Sequence, residues 1–185
     1  ATFKDVKAPT FGPCETQMLF FNMSKPPFND LRVRKAFSYA LSRDIIANFM
    51  GKSLAVPIYS PALATPAPGA LTKEEALKAG VVYDNNVEQA KKLLAEAGFP
   101  NGIKTEAIVS EMSSSYQKPM VAIQALVRKA GIDMQVKIVD HASFHSQIRE
   151  NASPIVYYAA WRPNVDVYLT QFFHSDSVVV KGKKP

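Results

Sequence analysis

The 185-residue sequence contains a single cysteine, Cys14. One thiol excludes an internal disulfide bond and a metal site built from several cysteines. The chain has no run of about eighteen apolar residues, the length that predicts a transmembrane helix. Its first residues lack a basic segment followed by an apolar one, so no signal peptide is visible. With 47% hydrophobic residues, the chain is expected to form one globular domain with a buried core.

Sequence motifs of the common enzyme classes are also missing. The chain has no phosphate-binding loop, no dinucleotide glycine fingerprint and no Gly-x-Ser-x-Gly elbow. His141 and His145 are four residues apart on a predicted helix, a spacing that lets two imidazoles reach one metal ion. No glutamate base lies between them and no third ligand is apparent nearby. We therefore expect no enzyme, no metal and no cofactor, with a metal-dependent enzyme as an alternative.

The net charge is +6 and the pI is about 9.4, a balance that permits binding to nucleic acid. The lysines, however, are scattered along the chain. Basic and aromatic residues do not alternate in the manner that stacks single-stranded bases. The charge pattern therefore indicates a solvated surface, and we expect no nucleic-acid partner.

Short apolar segments alternate with segments of helical periodicity. Apolar runs or strict alternation predict strands, and capping residues mark helix starts. The predicted strands are 17–23, 103–110, 132–138 and 154–160; the predicted helices follow Asn29 or Asp30, Ser42, Thr72 and Asn85 (a capping box with Glu88), or span 116–130, 143–150 and 167–173. This order predicts a layered α/β domain. Such sheets bind ligands at the carboxyl ends of their strands, here the loops after Val109 and Ala160.

Candidate ligand-binding residues follow two of these predicted strands. Ser110, Glu111 and Tyr116 lie between a strand and a helix, where hydroxyls and backbone donors suit a polar or anionic ligand group; simple helix capping is the alternative. Trp161 follows the last predicted strand and is either a core residue or a stacking surface for a ligand. Tyr59, in the proline-rich loop 52–70, is a further candidate.

Several segments resemble a known family. Residues 22–44 read NMSKPPFNDLRVRKAFSYALSRD and residues 90–102 read AKKLLAEAGFPNG. Both are similar, in the expected order, to hallmark segments of the family-five extracellular solute-binding proteins, which serve ABC importers of peptides and nickel. The resemblance extends from about residue 17 to residue 177.

This resemblance implies one lobe of a type II periplasmic-binding-protein-like fold, with a mixed sheet flanked by helices. It implies a fragment corresponding to the C-terminal lobe: a connector at 1–16, a substrate-binding lobe at 17–177 and a tail at 178–185 that leads toward a missing hinge return. The implied partners are a small-molecule or peptide solute, the first lobe of the same protein and an ABC permease. The implied location is extracytoplasmic, either periplasmic or anchored at the cell surface. The alternative function is the ligand-sensing domain of a cytoplasmic transcriptional regulator.

One position departs from the family pattern. Peptide-binding members place an aspartate three residues after the tryptophan that matches Trp161, where it holds the ligand's α-amine. Here that position is Asn164, and Asp166 follows two residues later. A neutral amide pairs less strongly with an ammonium group than a carboxylate does. Either Asp166 takes over this role, or the ligand lacks a free amine.

Overall fold

A computed structural model describes residues 15–61 and 69–178 of the chain. The elements are, in chain order, β1 Thr16–Phe21, α1 Leu31–Ala40, α2 Arg43–Met50, α3 Lys73–Lys78, α4 Val87–Glu96, β2 Ile103–Ser110, α5 Ser114–Arg128, β3 Ile132–Val139, α6 His141–Arg149, β4 Ile155–Ala160, α7 Val165–Phe173 and a 3₁₀ turn Ser175–Ser177. Within the described ranges, no helix has both the length and the apolar character needed to cross a bilayer. Cys14 lies outside the described residues, as do residues 1–14 of the predicted connector 1–16, residues 179–185 of the predicted tail 178–185, and the stretch 62–68 of the proline-rich loop.

The four strands form one mixed sheet in the order β1–β4–β2–β3. β2 lies parallel to β3, with Ser110 paired to Val139, and it is also parallel to β4. β1 runs antiparallel to β4 and pairs Thr16 with Ala160. The carboxyl ends of β2, β3 and β4 therefore meet at one edge of the sheet, beside the amino end of β1. We call this the carboxyl edge; the predicted mixed α/β sheet is confirmed.

One face of the sheet packs against α1, α4 and α5. Alternate side chains of a strand point to opposite faces, and one set from each strand joins the apolar stripes of these helices. Burying a large apolar side chain stabilises a fold by about 1.5–3 kcal/mol, so this layer is the main source of stability. The buried members of this core are Phe28, Val33, Ala36, Phe37, Ala40, Ala90, Leu94, Ile103, Ala107, Val109, Met120, Ile123, Val127, Ala130, Ile132, Met134, Ile155 and Tyr157.

The opposite face is covered near the carboxyl edge by α6 and α7, through aromatic side chains. Tyr158 of β4 stacks on Phe144 of α6, with ring centroids 6.0 Å apart. Phe20 of β1 lies 5.6 Å from Phe172 of α7. Aromatic pairs at such separations contribute about 0.5–1.5 kcal/mol beyond the area they bury. These contacts fix the two helices whose first turns border the carboxyl edge.

The helix caps follow the sequence expectations except at α4. Ser42 accepts a hydrogen bond from a backbone N–H of α2, and Thr72 forms a complete capping box at the start of α3. The cap of α4 is Asn86, which accepts from the backbone N–H of Gln89 at 2.9 Å. Asn85 instead turns the chain with a φ of +48°, a left-handed conformation that asparagine tolerates. The prediction of Asn85 as the cap was therefore wrong by one residue.

The apolar face of strand β3 becomes exposed toward its carboxyl end. Alternation in the sequence predicts that Ile132, Met134, Val136 and Ile138 lie on one face of the strand. Ile132 and Met134 are buried, but Ile138 is 55% exposed. β3 is the outermost strand of the sheet, so its side chains have a strand neighbour on one side only. Ile138 therefore adds apolar surface beside the carboxyl edge.

Two glycines hold the amino ends of β2 and β3 together. Gly102 has a φ of +83°, and a Cβ built there would lie 2.0 Å from the carbonyl oxygen of Gly131. The backbone N–H of Ile103 donates to that same carbonyl at 3.1 Å. Only glycine fits this approach, and the contact sets the register that brings Ser110 beside Val139 at the other end of the sheet.

Candidate ligand-binding site

The carboxyl edge gathers chain segments that are far apart in the sequence. In spatial order it presents Glu15 before β1, Trp161 after β4, Ser110 at the end of β2 and His141 after β3. Open α/β sheets bind their ligands in the crevice outside the carboxyl ends of their strands. The sequence-predicted residues after β2 and β4 are therefore brought to the same edge.

Ser110 is buried, with only 4% of its surface exposed. Its Oγ lies 3.0 Å from Nδ1 of His141 and accepts a hydrogen bond from the backbone N–H of Met112 at 3.2 Å. These contacts occupy the hydroxyl, so Ser110 holds neighbouring groups in place instead of facing a cleft. Glu111 is exposed, and its backbone N–H donates to Val139 at 2.9 Å.

His141 is the first residue of α6 and is exposed at the carboxyl edge. Its ring packs edge-to-face on His145, with centroids 4.6 Å apart. His145 is partly buried against Phe144 and Tyr158. Burial lowers the pKa of His145, and the neighbouring His141 and Arg149 add to the effect. His145 is thus held neutral behind His141.

Tyr116 lies in the first turn of α5 and is half-buried. Burial raises the pKa of its hydroxyl, and the charge of Glu15 contributes. Glu15 accepts a hydrogen bond from Gln17 at 3.1 Å, and Gln17 accepts one from the Tyr157 hydroxyl at 2.5 Å. A short network therefore holds an acidic side chain whose charge acts on the tyrosine that the sequence singles out.

Trp161 directly follows β4 and is 61% exposed, so it does not belong to the core. Asn164 caps α7, because its Oδ1 accepts from the backbone N–H of Val167 at 2.9 Å. The cap uses one of the two lone pairs of this oxygen, and the amide nitrogen of Asn164 adds two donors. Asp166 lies exposed in the first turn of α7. Arg162 is turned back along α7, with its guanidinium 5.1 Å from the Phe172 ring.

Tyr59 lies apart from this group. Its ring is flanked by Arg43 of α2 at 5.7 Å and by Lys73 of α3 at 5.3 Å. Its recorded contacts therefore tie the proline-rich loop to α2 and α3. Of the seven candidates, Tyr59 is the one that the fold does not associate with the carboxyl edge.

Two residues of the edge were not singled out as ligand contacts from the sequence. The sequence singles out His141 only as a candidate metal ligand, although its position directly after a predicted strand is a usable signal for a ligand contact. Glu15 had been assigned to a connector, and only the antiparallel pairing of β1 with β4 brings it to the edge. In the two described stretches, no set of three or more His, Cys, Asp or Glu side chains is grouped closely enough to hold a metal ion.

The chain belongs to the bacterial extracellular solute-binding proteins, family 5, whose "Middle" model matches residues 2–178. The fold therefore is that of a periplasmic binding protein, as the resemblance implies. Members of this family are solute-binding proteins.

Individual relatives refine the family assignment. The chain is 39% identical to the solute-binding protein MoaA of A. tumefaciens R10, solved in complex with mannopinic acid; the match covers 94% of this chain and 34% of that one, with a TM-score of 0.79. It is 28% identical to AgaA of A. tumefaciens R10, solved with agropinic acid, over 86% of this chain and 32% of that one, with a TM-score of 0.73. It is also 35% identical to the periplasmic oligopeptide-binding protein OppA of Escherichia coli K12, over 64% of this chain and 22% of that protein. The chain thus spans about a quarter of the length of the curated relatives it matches.

Proposed function

We propose that this chain is the substrate-binding lobe, residues 17–177, of an extracytoplasmic receptor for an ABC importer. The receptor binds a small solute between this lobe and a first lobe and delivers it to the permease. It acts by binding and closure, and it catalyses no reaction. The observation that carries the proposal is the carboxyl edge, where an exposed tryptophan and several polar groups converge at the strand ends of one mixed sheet. The named relatives favour this function over a regulator's sensing domain.

The ligand in this proposal is an organic acid of the kind bound by MoaA and AgaA. Three features support it. Asn164 stands where peptide receptors have their amine-binding aspartate, and its neutral amide, which also caps α7, pairs less strongly with an ammonium group than a carboxylate does. The chain carries a net charge of +6, which favours encounters with anions. The mannopinic-acid receptor is also similar over almost the whole chain.

An oligopeptide is the second candidate ligand. The 35% identity to OppA favours it. An α-amine requires an acidic partner, and two acidic side chains remain near the carboxyl edge. Asp166 is exposed in the first turn of α7, and Glu15 lies beside Tyr116. In this version one of these carboxylates takes the role of the missing aspartate.

Titration calorimetry on the complete receptor distinguishes the candidates. The probes are mannopinic acid, agropinic acid, glutathione and a set of di- to pentapeptides. Each peptide is tested both with a free α-amine and with that amine blocked. The proposal expects micromolar or tighter binding of an acid, and no loss of affinity when a free amine is absent. Preference for peptides with a free amine would select the second candidate. Absence of binding to every probe, in a protein shown to be folded by circular dichroism, would contradict the ligand assignment.

A further inference from the structure

The contacts of Ser110 determine which nitrogen of His141 carries the proton. A buried hydroxyl needs an acceptor for its hydrogen, and Ser110 is 4% exposed. Its Oγ accepts a hydrogen bond from the backbone N–H of Met112. Within residues 15–61 and 69–178, the acceptor within reach of the hydroxyl hydrogen is Nδ1 of His141, 3.0 Å from Oγ. When Ser110 donates to Nδ1, the neutral imidazole has its proton on Nε2.

This arrangement directs a hydrogen-bond donor outward. The two ring nitrogens are separated by Cε1, and their in-plane hydrogen-bond directions diverge widely, so Nε2 points away from buried Ser110. The ring cannot turn freely, because it stacks on Phe144 at 6.4 Å and packs against His145 at 4.6 Å. In the described part of the chain, Nε2 has no hydrogen-bond partner. Protonation of the ring would leave this donor in place, since both nitrogens then carry hydrogens.

We propose that His141 is a ligand-contacting residue of the carboxyl edge, donating from Nε2 to an acceptor oxygen of the bound acid, and that Ser110 is the residue that positions it. The inference rests on the proposed function and specifies how its site recognises the ligand. It also changes the role assigned to Ser110, which acts through His141 instead of touching the solute.

The surroundings of His141 favour one defined donor over a general positive patch. Asp140 caps α6, accepting from the backbone N–H of Ser143 at 3.0 Å, and its hydrogen bonds to Ser143 lower the pKa of its carboxyl. Glu111 is exposed on the loop after β2. These carboxylates disfavour loosely held anions, so affinity depends on the directional bond from Nε2.

The test is calorimetry with mannopinic acid on the complete receptor, with three substitutions and a control. His141→Ala is expected to weaken binding about 10- to 100-fold, the effect of losing a hydrogen bond to a charged group. His141→Gln, whose amide nitrogen can donate from nearly the same place, is expected to retain most of the affinity. Ser110→Ala should give an intermediate loss. His174→Gln alters an exposed histidine at the end of α7 and should bind like the unsubstituted receptor.

A second measurement separates positioning from structural damage. Nitrogen-detected NMR of the ligand-free receptor at pH 8 should show His141 as the Nε2–H tautomer, and Ser110→Ala should produce a mixture of tautomers without a change in the circular dichroism spectrum. If the receptor binds mannopinic acid and His141→Ala binds it equally well, this inference fails while the proposed function stands. If the unsubstituted receptor does not bind mannopinic acid, the ligand assignment of the proposed function fails, and the inference, which rests on that assignment, fails with it.

Discussion

Replacing Gly102 with alanine tests the contact that aligns β2 with β3. A methyl group at this position would lie 2.0 Å from the carbonyl oxygen of Gly131, and the residue would have to keep a φ of +83°. The left-handed conformation alone costs an L-residue about 1–2 kcal/mol. Relieving the overlap requires the backbone to shift, which adds about 1–3 kcal/mol as in other overpacked sites. We expect Gly102→Ala to lower the free energy of unfolding by about 2–5 kcal/mol in total.

Gly98→Ala is the matched control for this experiment. Gly98 has a similar φ of +92°, but no atom lies within 4 Å of a Cβ built there. This variant should therefore show the conformational cost alone, about 1–2 kcal/mol. Both variants are measured by urea denaturation followed by circular dichroism. If Gly102→Ala is no more destabilising than Gly98→Ala, the close approach of the two glycines is wrong, and the register that places Ser110 beside Val139 loses its support.

Three further predictions concern the carboxyl edge and its helices. Trp161→Ala should weaken ligand binding at least about tenfold, as for other aromatic contact residues, while leaving the unfolding midpoint unchanged because the side chain is 61% exposed; equal affinity by calorimetry would remove Trp161 from the site. Asn164→Ala should cost about 0.5–2 kcal/mol of stability through loss of the α7 cap, whereas Asn164→Asp should cost almost nothing; equal urea midpoints for the two variants would argue against the cap. Because burial lowers the pKa of His145 below its ordinary 6.5, the unfolded state takes up this proton first as the pH falls. The stability from neutral His145 is therefore complete above about pH 6.5 and is lost below it, and His145→Gln should flatten that decline in urea midpoints measured between pH 7.5 and 5.

Much of the fold is predictable because local chemistry decides it. Ser42 and Thr72 cap helices as expected, since each needs only a backbone N–H two or three residues away. β2 begins and ends where its apolar pattern does. The misplaced cap at Asn85 and the exposed Ile138 have a different cause. Each depends on how the chain turns or on which neighbours a strand acquires, and neither is encoded in a window of a few residues.

The candidate site likewise contains features that the sequence predicts and features that only the folded chain reveals. The strand ends that carry Trp161 and Ser110 are predictable from element order, because parallel strands present their carboxyl ends together. The hydrogen bond between Ser110 and His141 joins residues 31 positions apart, and it exists only because β2 pairs with β3 in one register. Burial of Ser110 likewise depends on the packing of α6 onto the sheet. A sequence pattern can therefore predict which strand ends form the carboxyl edge, but it does not predict which contacts each residue makes there.

Under the proposed function, the position of these residues accounts for how one scaffold serves receptors with different ligands. Side chains that border the carboxyl edge belong to strand ends and first helical turns, whereas the apolar core lies in the layer formed with α1, α4 and α5. Substitution at the edge removes few core contacts, so ligand preference can change at small cost in stability. Gly102, Gly131 and the strand register act instead on the distances between edge residues. Relatives that keep the register while varying the edge should retain the fold and differ in ligand. MoaA and AgaA, which were solved with different acids, each match this chain with a TM-score above 0.7, at 39% and 28% identity.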